Sequence, residues 1–279
     1  MSVVYLLGHP VGHSLSPLLQ NAAFAALGLD HRYETLDVTP DELPAAVERI
    51  RNDDRVLGAN VTVPHKEAVM RLVQSHDGEA ARAGAANTIS KSGAGKPDVA
   101  RLQGWNTDGL GFERALRDAA IVVAAKRILV LGAGGVARAV VPVLVRGLGR
   151  ITIANRDRER AERLARSFPT AGGAWRPEVV DWSMAWSVAG ADIVVNATSL
   201  GLHGEDPLDG VPLPARLVVV DLVPTATDTP LIARARAAGC VVLNGLPMLV
   251  HQAGLAFFIW TNEAPPLAVM RRAIGLAAS

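Results

Sequence analysis

The stretch GANVTVPHKEA, residues 58–68, runs a β-branched segment, Val61-Thr62-Val63, into Pro64 and places His65 and Lys66 at its far edge. Lysine is a poor strand residue and is most often a solvated tether. At a strand end it can instead be an ammonium placed for chemistry, and the rest of the chain must supply the site. Other polar residues stand at the ends of apolar runs, where α/β proteins hold ligands. They are Ser14 and Ser16 after the first run, Asn60 and Thr62 around the third, and Asn87-Thr88 in GAANTI. Asn106-Thr107-Asp108 in GWNTDG and Gln252 in the last helical stretch complete the set. Amides, hydroxyls and one ammonium suit a polyhydroxylated carboxylate. Singly, each is better read as structure, Ser16 as a helix N-cap and Asn87 and Asn106 as turn formers. The set carries the inference.

A second pattern is RILVLGAGGVARAV at 127–140, an apolar strand that ends in Gly132-Ala133-Gly134-Gly135 and passes at once, from Val136, into helical spacing. Gly132 suits the tight turn, Gly134 lets a pyrophosphate approach the backbone, and Ala137 takes the small-residue packing position. Free N–H groups and the helix dipole then face the anion. The following strand ends in ITIANRDRER, with Asn155 and Arg156 at its edge and Arg158 and Arg160 beyond. A guanidinium suits a 2′-phosphate, so NADP is expected, with NAD the alternative. Asp157 opposes this, because a carboxylate aimed at the ribose repels a phosphate. Arg163 and Arg166 read as a solvated helix face, with Arg158–Glu162 and Glu159–Arg163 at i,i+4 spacing. Leu222 and Gly245, at the ends of strands expected at 217–222 and 240–244, are counted with Gly132–Val136, Asn155, Arg156 and Arg160 at the cofactor.

The elements that position these residues alternate. Strands are expected at 3–7, 31–37, 58–63, 127–131, 150–154, 193–196, 217–222 and 240–244. Helices are expected at 17–27, capped by Ser16; at 40–51, capped by Thr39; and at about 106–120, 136–146, 158–167 and 230–238. Residues 84–106 read as a hairpin around SKSGAGKPD, and the chain from Met248 onward reads as helical, packing back on the first half. Such alternation is the pattern of a parallel-sheet α/β protein, with a domain boundary near 105–110.

The other readings exclude more than they add. With 28 basic against 27 acidic residues, a dedicated nucleic-acid binder is not expected. One cysteine, Cys240, allows neither an intrachain disulfide nor a thiolate metal cluster. His9 and His13 have i,i+4 spacing, but Pro10 and Gly12 lie between them, so no metal is expected. Ser199 in NATSLG lacks a nucleophile-elbow pattern, and Trp182 and Trp186 read as packing residues on one helix face. The N-terminus reads as a first strand instead of a signal peptide, and no apolar run of membrane-spanning length occurs. A cytoplasmic protein, monomer or homodimer, is the expectation.

Taken in order, GHPVGHSLSP, NVTVPHK, GAANT, GWNTDG, GAGGVARA, NRDRERA, NATSLG and GLPMLVHQA resemble the shikimate dehydrogenase family over nearly the whole chain. The resemblance implies an α/β substrate-binding and catalytic domain, 1–106 with 248–279, and a Rossmann NADP-binding domain, 107–247, with a cleft between them. It implies reversible reduction of 3-dehydroshikimate to shikimate. Ser14 and Ser16 match the serines that hold the carboxylate, and Asn60, Thr62, Asn87 and Gln252 match the residues that meet ring hydroxyls. Lys66 and Asp108 match the catalytic pair. Two positions depart from the family pattern: Pro224 stands where a tyrosine is usual, and Gln20 where a histidine is common. A quinate-preferring or NAD-using paralogue, and a non-catalytic NADP-binding regulatory module, are the alternatives.

Overall fold

Short β-branched runs separated by amphipathic segments build two six-stranded sheets in the computed structural model, which describes residues 1–92, 101–168, 176–183 and 190–277. The chain divides into two units, 1–111 with 249–279 and 112–248. The first begins with β1 (Ser2–Gly8), α1 (Ser16–Ala26), β2 (His31–Asp37), α2 (Leu43–Asn52) and β3 (Val56–Val61). After a 3₁₀ turn at Ala68–Arg71 come β4 (Ser75–His76), α3 (Gly78–Ala83), β5 (Thr88–Ser92) and β6 (Arg101–Trp105), and α4 (Asp108–Asp118) leads into the second unit. The sheet order is β2-β1-β3-β5-β6-β4. β2, β1 and β3 are parallel, β5 runs antiparallel to both β3 and β6, and β4 pairs parallel with β6. The centre of the expected 84–106 hairpin lies outside the described residues, while its two arms are β5 and β6.

Pleating sends alternate residues of β1 to opposite faces. Val4 and Leu6 join a core with Leu19, Phe24 and Phe257, whereas Leu7 joins one with Val47, Ile50, Val61 and Ile89. α2 supplies Leu43, Ala46, Val47 and Ile50 to that second core, a helical stripe at i, i+3, i+4 and i+7. Each fully buried Leu or Ile contributes about 1.5–3 kcal/mol.

Three local expectations are corrected. Ser16 is the first residue of α1 and not its cap: Leu15 is the N-cap, and the Ser16 N–H donates to Ser14 Oγ at 3.2 Å. Thr39 does not cap α2, which starts at Leu43 after a turn; the Glu42 carboxylate instead accepts from the Thr39 N–H at 2.9 Å and its hydroxyl at 2.7 Å. Those bonds hold the exposed Glu42 carboxyl below its usual pKa. β3 stops at Val61, short of the expected Val63. The Thr62 carbonyl accepts from His65 N–H at 2.8 Å, which closes a turn around the cis Val63–Pro64 bond. Proline has no N–H to extend the ladder.

The second unit contains β7 (Arg127–Leu131), α5 (Gly135–Arg146), β8 (Arg150–Ala154), α6 (Arg158–Arg166), β9 (Glu178–Val180), β10 (Ile193–Asn196), β11 (Val218–Asp221), α7 (Pro230–Ala237) and β12 (Val241–Leu243). All its strand pairs are parallel, in the order β12-β11-β10-β7-β8-β9. Counted within the unit this is 6-5-4-1-2-3, the dinucleotide-binding arrangement read from its far edge. Buried on both faces, β10 is apolar except for its last residue, Asn196. Trp182 packs against this unit's core, and Trp186 lies outside the described residues. The chain returns through α8 (Leu246–Thr261) and α9 (Leu267–Ala273), whose Val250, Ala253, Phe257 and Met270 complete the core of the first unit around Val4 and Phe24. Among the described residues no helix is long and apolar enough to cross a membrane.

Trp260 of α8 reaches across β3 to donate to the Ile89 carbonyl at 2.9 Å. Only glycine at 58 permits this, because a Cβ there would lie 2.1 Å from Ile89 O and 2.7 Å from Trp260 Nε1. Gly58→Ala is therefore expected to destabilise the first unit by roughly 1–3 kcal/mol or more, measured as a lowered urea midpoint with an unchanged slope.

Candidate functional site

Lys66 follows the turn that ends β3, and its carbonyl accepts from the Ala86 N–H at 2.8 Å, which ties it to the entry of β5. Its ammonium donates to Asp108 Oδ2 at 2.6 Å, with the two side chains only 11% and 5% exposed. Asp108 opens α4, where the helix dipole favours a carboxylate, and its N–H donates to Asn106 Oδ1 at 3.1 Å. The other carboxylate oxygen, Oδ1, accepts from Asn87 Nδ2 at 2.8 Å. The ammonium has three hydrogens, and the described residues accept one.

Asn87 is the hub. Its amide nitrogen lies 2.8 Å from Asp108 Oδ1, 2.9 Å from Thr107 Oγ1 and 3.3 Å from Gln252 Oε1. Two N–H groups cannot fully serve three acceptors, so Gln252 Oε1, also 3.4 Å from the Thr107 hydroxyl, is the weakly held one and can accept from a ligand. Asn60 Nδ2 donates to the Asn87 carbonyl at 3.1 Å and to Thr88 Oγ1 at 3.0 Å. The Thr62 hydroxyl makes no hydrogen bond among the described residues, and its methyl sits where a Cβ on Gly8 would be, 2.4 Å away. Thr62 is the first residue past β3, and its N–H still donates to the Leu7 carbonyl of β1 at 2.8 Å. Gln20 is fully buried and donates to the Ala253 carbonyl at 2.9 Å.

In the first unit the structure thus brings together Lys66, Asp108, Asn60, Asn87 and Gln252 in one buried network. Tyr33 joins it by donating to Asn60 Oδ1 at 2.8 Å, whereas Ser16, whose N–H donates to Ser14 Oγ, makes no hydrogen bond to these residues. Sequence reasoning missed Tyr33. In HRYETLD it reads as an ordinary β-former, and nothing local marks its hydroxyl.

In the second unit the expected cofactor residues follow the C-terminal ends of β7, β8, β11 and β12. Gly132 has φ +104° and a Cβ there would lie 2.9 Å from the Ala197 carbonyl, so the turn requires glycine. At Gly134 a Cβ would meet nothing within 4 Å, and α5 has no side-chain cap. Open space in front of uncapped N–H groups fits a pyrophosphate. Gly245 packs on the main chain of the strand end, a Cβ there lying 2.8 Å from Leu222 O. Asp157 caps α6, its Oδ1 accepting from the Arg160 N–H at 3.0 Å. Arg156 is exposed and makes no ion pair among the described residues. Arg158 pairs with Glu162 at 3.0 Å and Asp181 at 2.6 Å, Arg163 with Glu159 at 3.5 Å, and Arg166 with Glu162 at 3.3 Å. Arg163 and Arg166 form the solvated face expected of them.

The loops beside this edge are held by a buried carboxylate that pairs with no cation among the described residues. Asp221 accepts from Asn196 Nδ2 at 2.9 Å, Val223 N–H at 3.1 Å and the Thr229 hydroxyl at 2.6 Å. Burial raises its pKa, and the three hydrogen bonds only partly oppose that.

Family models described as shikimate dehydrogenase substrate binding domain, shikimate/quinate 5-dehydrogenase and shikimate 5′-dehydrogenase C-terminal domain match residues 6–89, 114–202 and 245–274. A shikimate dehydrogenase (NADP(+)) of Symbiobacterium thermophilum is 43% identical, over 97% of this chain and 92% of its own. The solved structure of shikimate 5-dehydrogenase from Thermus thermophilus in complex with NADP(H) and shikimate is 35% identical. It superposes with a TM-score of 0.82 over 98% of both chains. Quinate dehydrogenase from Corynebacterium glutamicum in complex with NAD is 30% identical, with a TM-score of 0.84 over 98% of both chains.

Two outcomes follow from this geometry. Gly134→Ala is expected to keep the wild-type Tm while weakening NADPH binding by about tenfold or more, since it costs only the close approach of the anion; Gly132→Ala is expected to lower Tm itself. Isothermal titration and thermal melts separate the two. For Asp221 the folded pKa is raised, so the folded state holds the proton longer. Its contribution to stability is greatest below the unfolded carboxylate pKa and is lost as pH rises through the folded value. Asp221→Asn is expected to flatten that part of the stability–pH curve, measured by urea unfolding across the acidic to neutral range.

Proposed function

The chain belongs to the shikimate dehydrogenase family, and we propose that it is an NADP-dependent shikimate dehydrogenase that reversibly reduces the ketone of 3-dehydroshikimate to the hydroxyl of shikimate. The observation that carries the reading is the buried Lys66–Asp108 pair at 2.6 Å, with two ammonium hydrogens uncommitted beside a polar network. The first unit, 1–111 with 249–279, is the substrate-binding and catalytic part, which takes in Asp108, and 112–248 the dinucleotide-binding part.

NADPH, held at Gly132–Val136 with Leu222 and Gly245, supplies the hydride. Lys66 hydrogen-bonds the carbonyl oxygen, on which negative charge develops, and transfers a proton to it. In the oxidative direction neutral Lys66 takes the hydroxyl proton. Asp108 orients the ammonium, and Asn87 in turn fixes Asp108 through Oδ1. Ser14 and Ser16 hold the carboxylate of the acid. Thr62, with an unspent hydroxyl, Gln252, with a weakly held carbonyl, and Asn60 and Asn87 meet the ring hydroxyls. Pro224 offers no side-chain donor, so discrimination between shikimate and quinate falls on these groups.

Asn155, Arg156 and Arg160 set the cofactor. Capping of α6 turns Asp157 toward the Arg160 N–H, which supports Arg156 as the partner of a 2′-phosphate.

The test is NADPH oxidation with 3-dehydroshikimate, run beside Lys66→Ala and Asp108→Asn. Wild-type turnover is expected, with kcat of Lys66→Ala reduced by about 10²–10⁴ and the fold intact by circular dichroism. A kcat for Lys66→Ala within a few-fold of wild type would remove the lysine from the chemistry.

A further inference from the structure

Tyr33 is 2% exposed, and its position is set from three sides. Asn21 of α1 pairs both of its main-chain groups: the Tyr33 N–H donates to Asn21 Oδ1 at 2.8 Å, and Asn21 Nδ2 donates to the Tyr33 carbonyl at 3.0 Å. The ring lies 6.2 Å from that of Trp260, centroid to centroid. The phenol has one hydrogen and gives it to Asn60 Oδ1 at 2.8 Å. Burial raises the phenol pKa, so the hydrogen stays on the oxygen.

Asn60 has no freedom left on its other side. Both amide hydrogens are taken, by the Asn87 carbonyl at 3.1 Å and Thr88 Oγ1 at 3.0 Å. Its Oδ1 has one lone pair on Tyr33 and one remaining for a ligand hydroxyl. Tyr33 lies on β2 and Asn60 on β3, so the phenol bond joins side chains of two strands that β1 separates.

We propose that Tyr33 is a positioning residue of the acid site, its hydroxyl fixing the orientation of the Asn60 amide before the acid arrives. This rests on the reading of Asn60 as a contact to a ring hydroxyl. Lys66, Asp108 and Gln252 make no hydrogen bond with Tyr33, so the loss belongs to binding and not to the chemical step.

Tyr33→Phe keeps the ring and removes one oxygen. Its KM for 3-dehydroshikimate is expected to rise about tenfold, the scale of one hydrogen bond in a polar site, with kcat within about threefold and the KM for NADPH unchanged. If the phenol acts through Asn60, the double variant Tyr33→Phe/Asn60→Ala has the KM of Asn60→Ala alone. An unchanged KM for NADPH and a wild-type circular dichroism spectrum report an intact fold. A KM for 3-dehydroshikimate within twofold of wild type, or additive effects in the double variant, would overturn the role of Tyr33 while leaving the activity in place. Wild-type protein that turns over neither 3-dehydroshikimate nor shikimate overturns the underlying reading and this inference with it.

Discussion

Asp108 is a carboxylate that is 4% exposed, and the first unit is arranged around compensating it. Taking a charge out of water costs several kcal/mol even after relaxation, and removing one partner of a buried pair costs about 3–5 kcal/mol. Lys66 satisfies one oxygen and Asn87 the other. Sheet topology makes that convergence possible. β5 runs antiparallel to β3, which sets Thr88, at its start, opposite Asn60, near the end of β3. β6 runs antiparallel to β5, which sets Trp105, at its end, opposite Thr88. The turn after β3, the entry to β5 and the start of α4 therefore meet at one edge. Had β5 been parallel to β3, its first residues would lie at the opposite edge, and Lys66 would have no partner there.

The second unit solves the opposite problem. Its strands are all parallel, so every strand ends on the same side and every loop there can face one ligand. Such loops carry unpaired main-chain groups that need anchors. Asn196 and Asp221, the last residues of neighbouring strands β10 and β11, supply them from inside the sheet by gathering the loops at Thr198, Leu200, Val223 and Thr229. A buried carboxylate held by hydrogen bonds alone among the described residues is a costly anchor, and its raised pKa is the sign of that cost.

Much of this was legible in the residues because strand ends announce themselves. Apolar runs stop at Gly132, Asn155 and Asn196, and the amide and hydroxyl motifs fall at those stops. β4 and β9, two and three residues long, carry too little alternation to be read, and form because neighbouring strands offer a ladder. Ser16 and Thr39 are good capping residues, yet the structure starts the two helices at Ser16 itself and at Leu43. Propensity ranks the residue types without deciding which position in the turn holds the cap. Tyr33 was illegible for a deeper reason. Its function lies in a contact across 27 residues of chain to Asn60, and nothing in HRYETLD encodes which partner the hydroxyl meets.

Asp157 shows how a single side-chain bond can reverse the reading of a charge. In sequence, an acid beside Asn155-Arg156 argues against a 2′-phosphate, since like charges at close range repel. In the structure the Asp157 carboxylate lies against the first turn of α6, where Oδ1 accepts from the Arg160 N–H. Oδ2 is 3.9 Å from the Arg163 guanidinium. Both partners offset its charge, and both are exposed to solvent screening. Arg156 carries no such pairing among the described residues. Of the two residues at the end of β8, the acid is already occupied and the base is not, so the balance at that edge favours an anion.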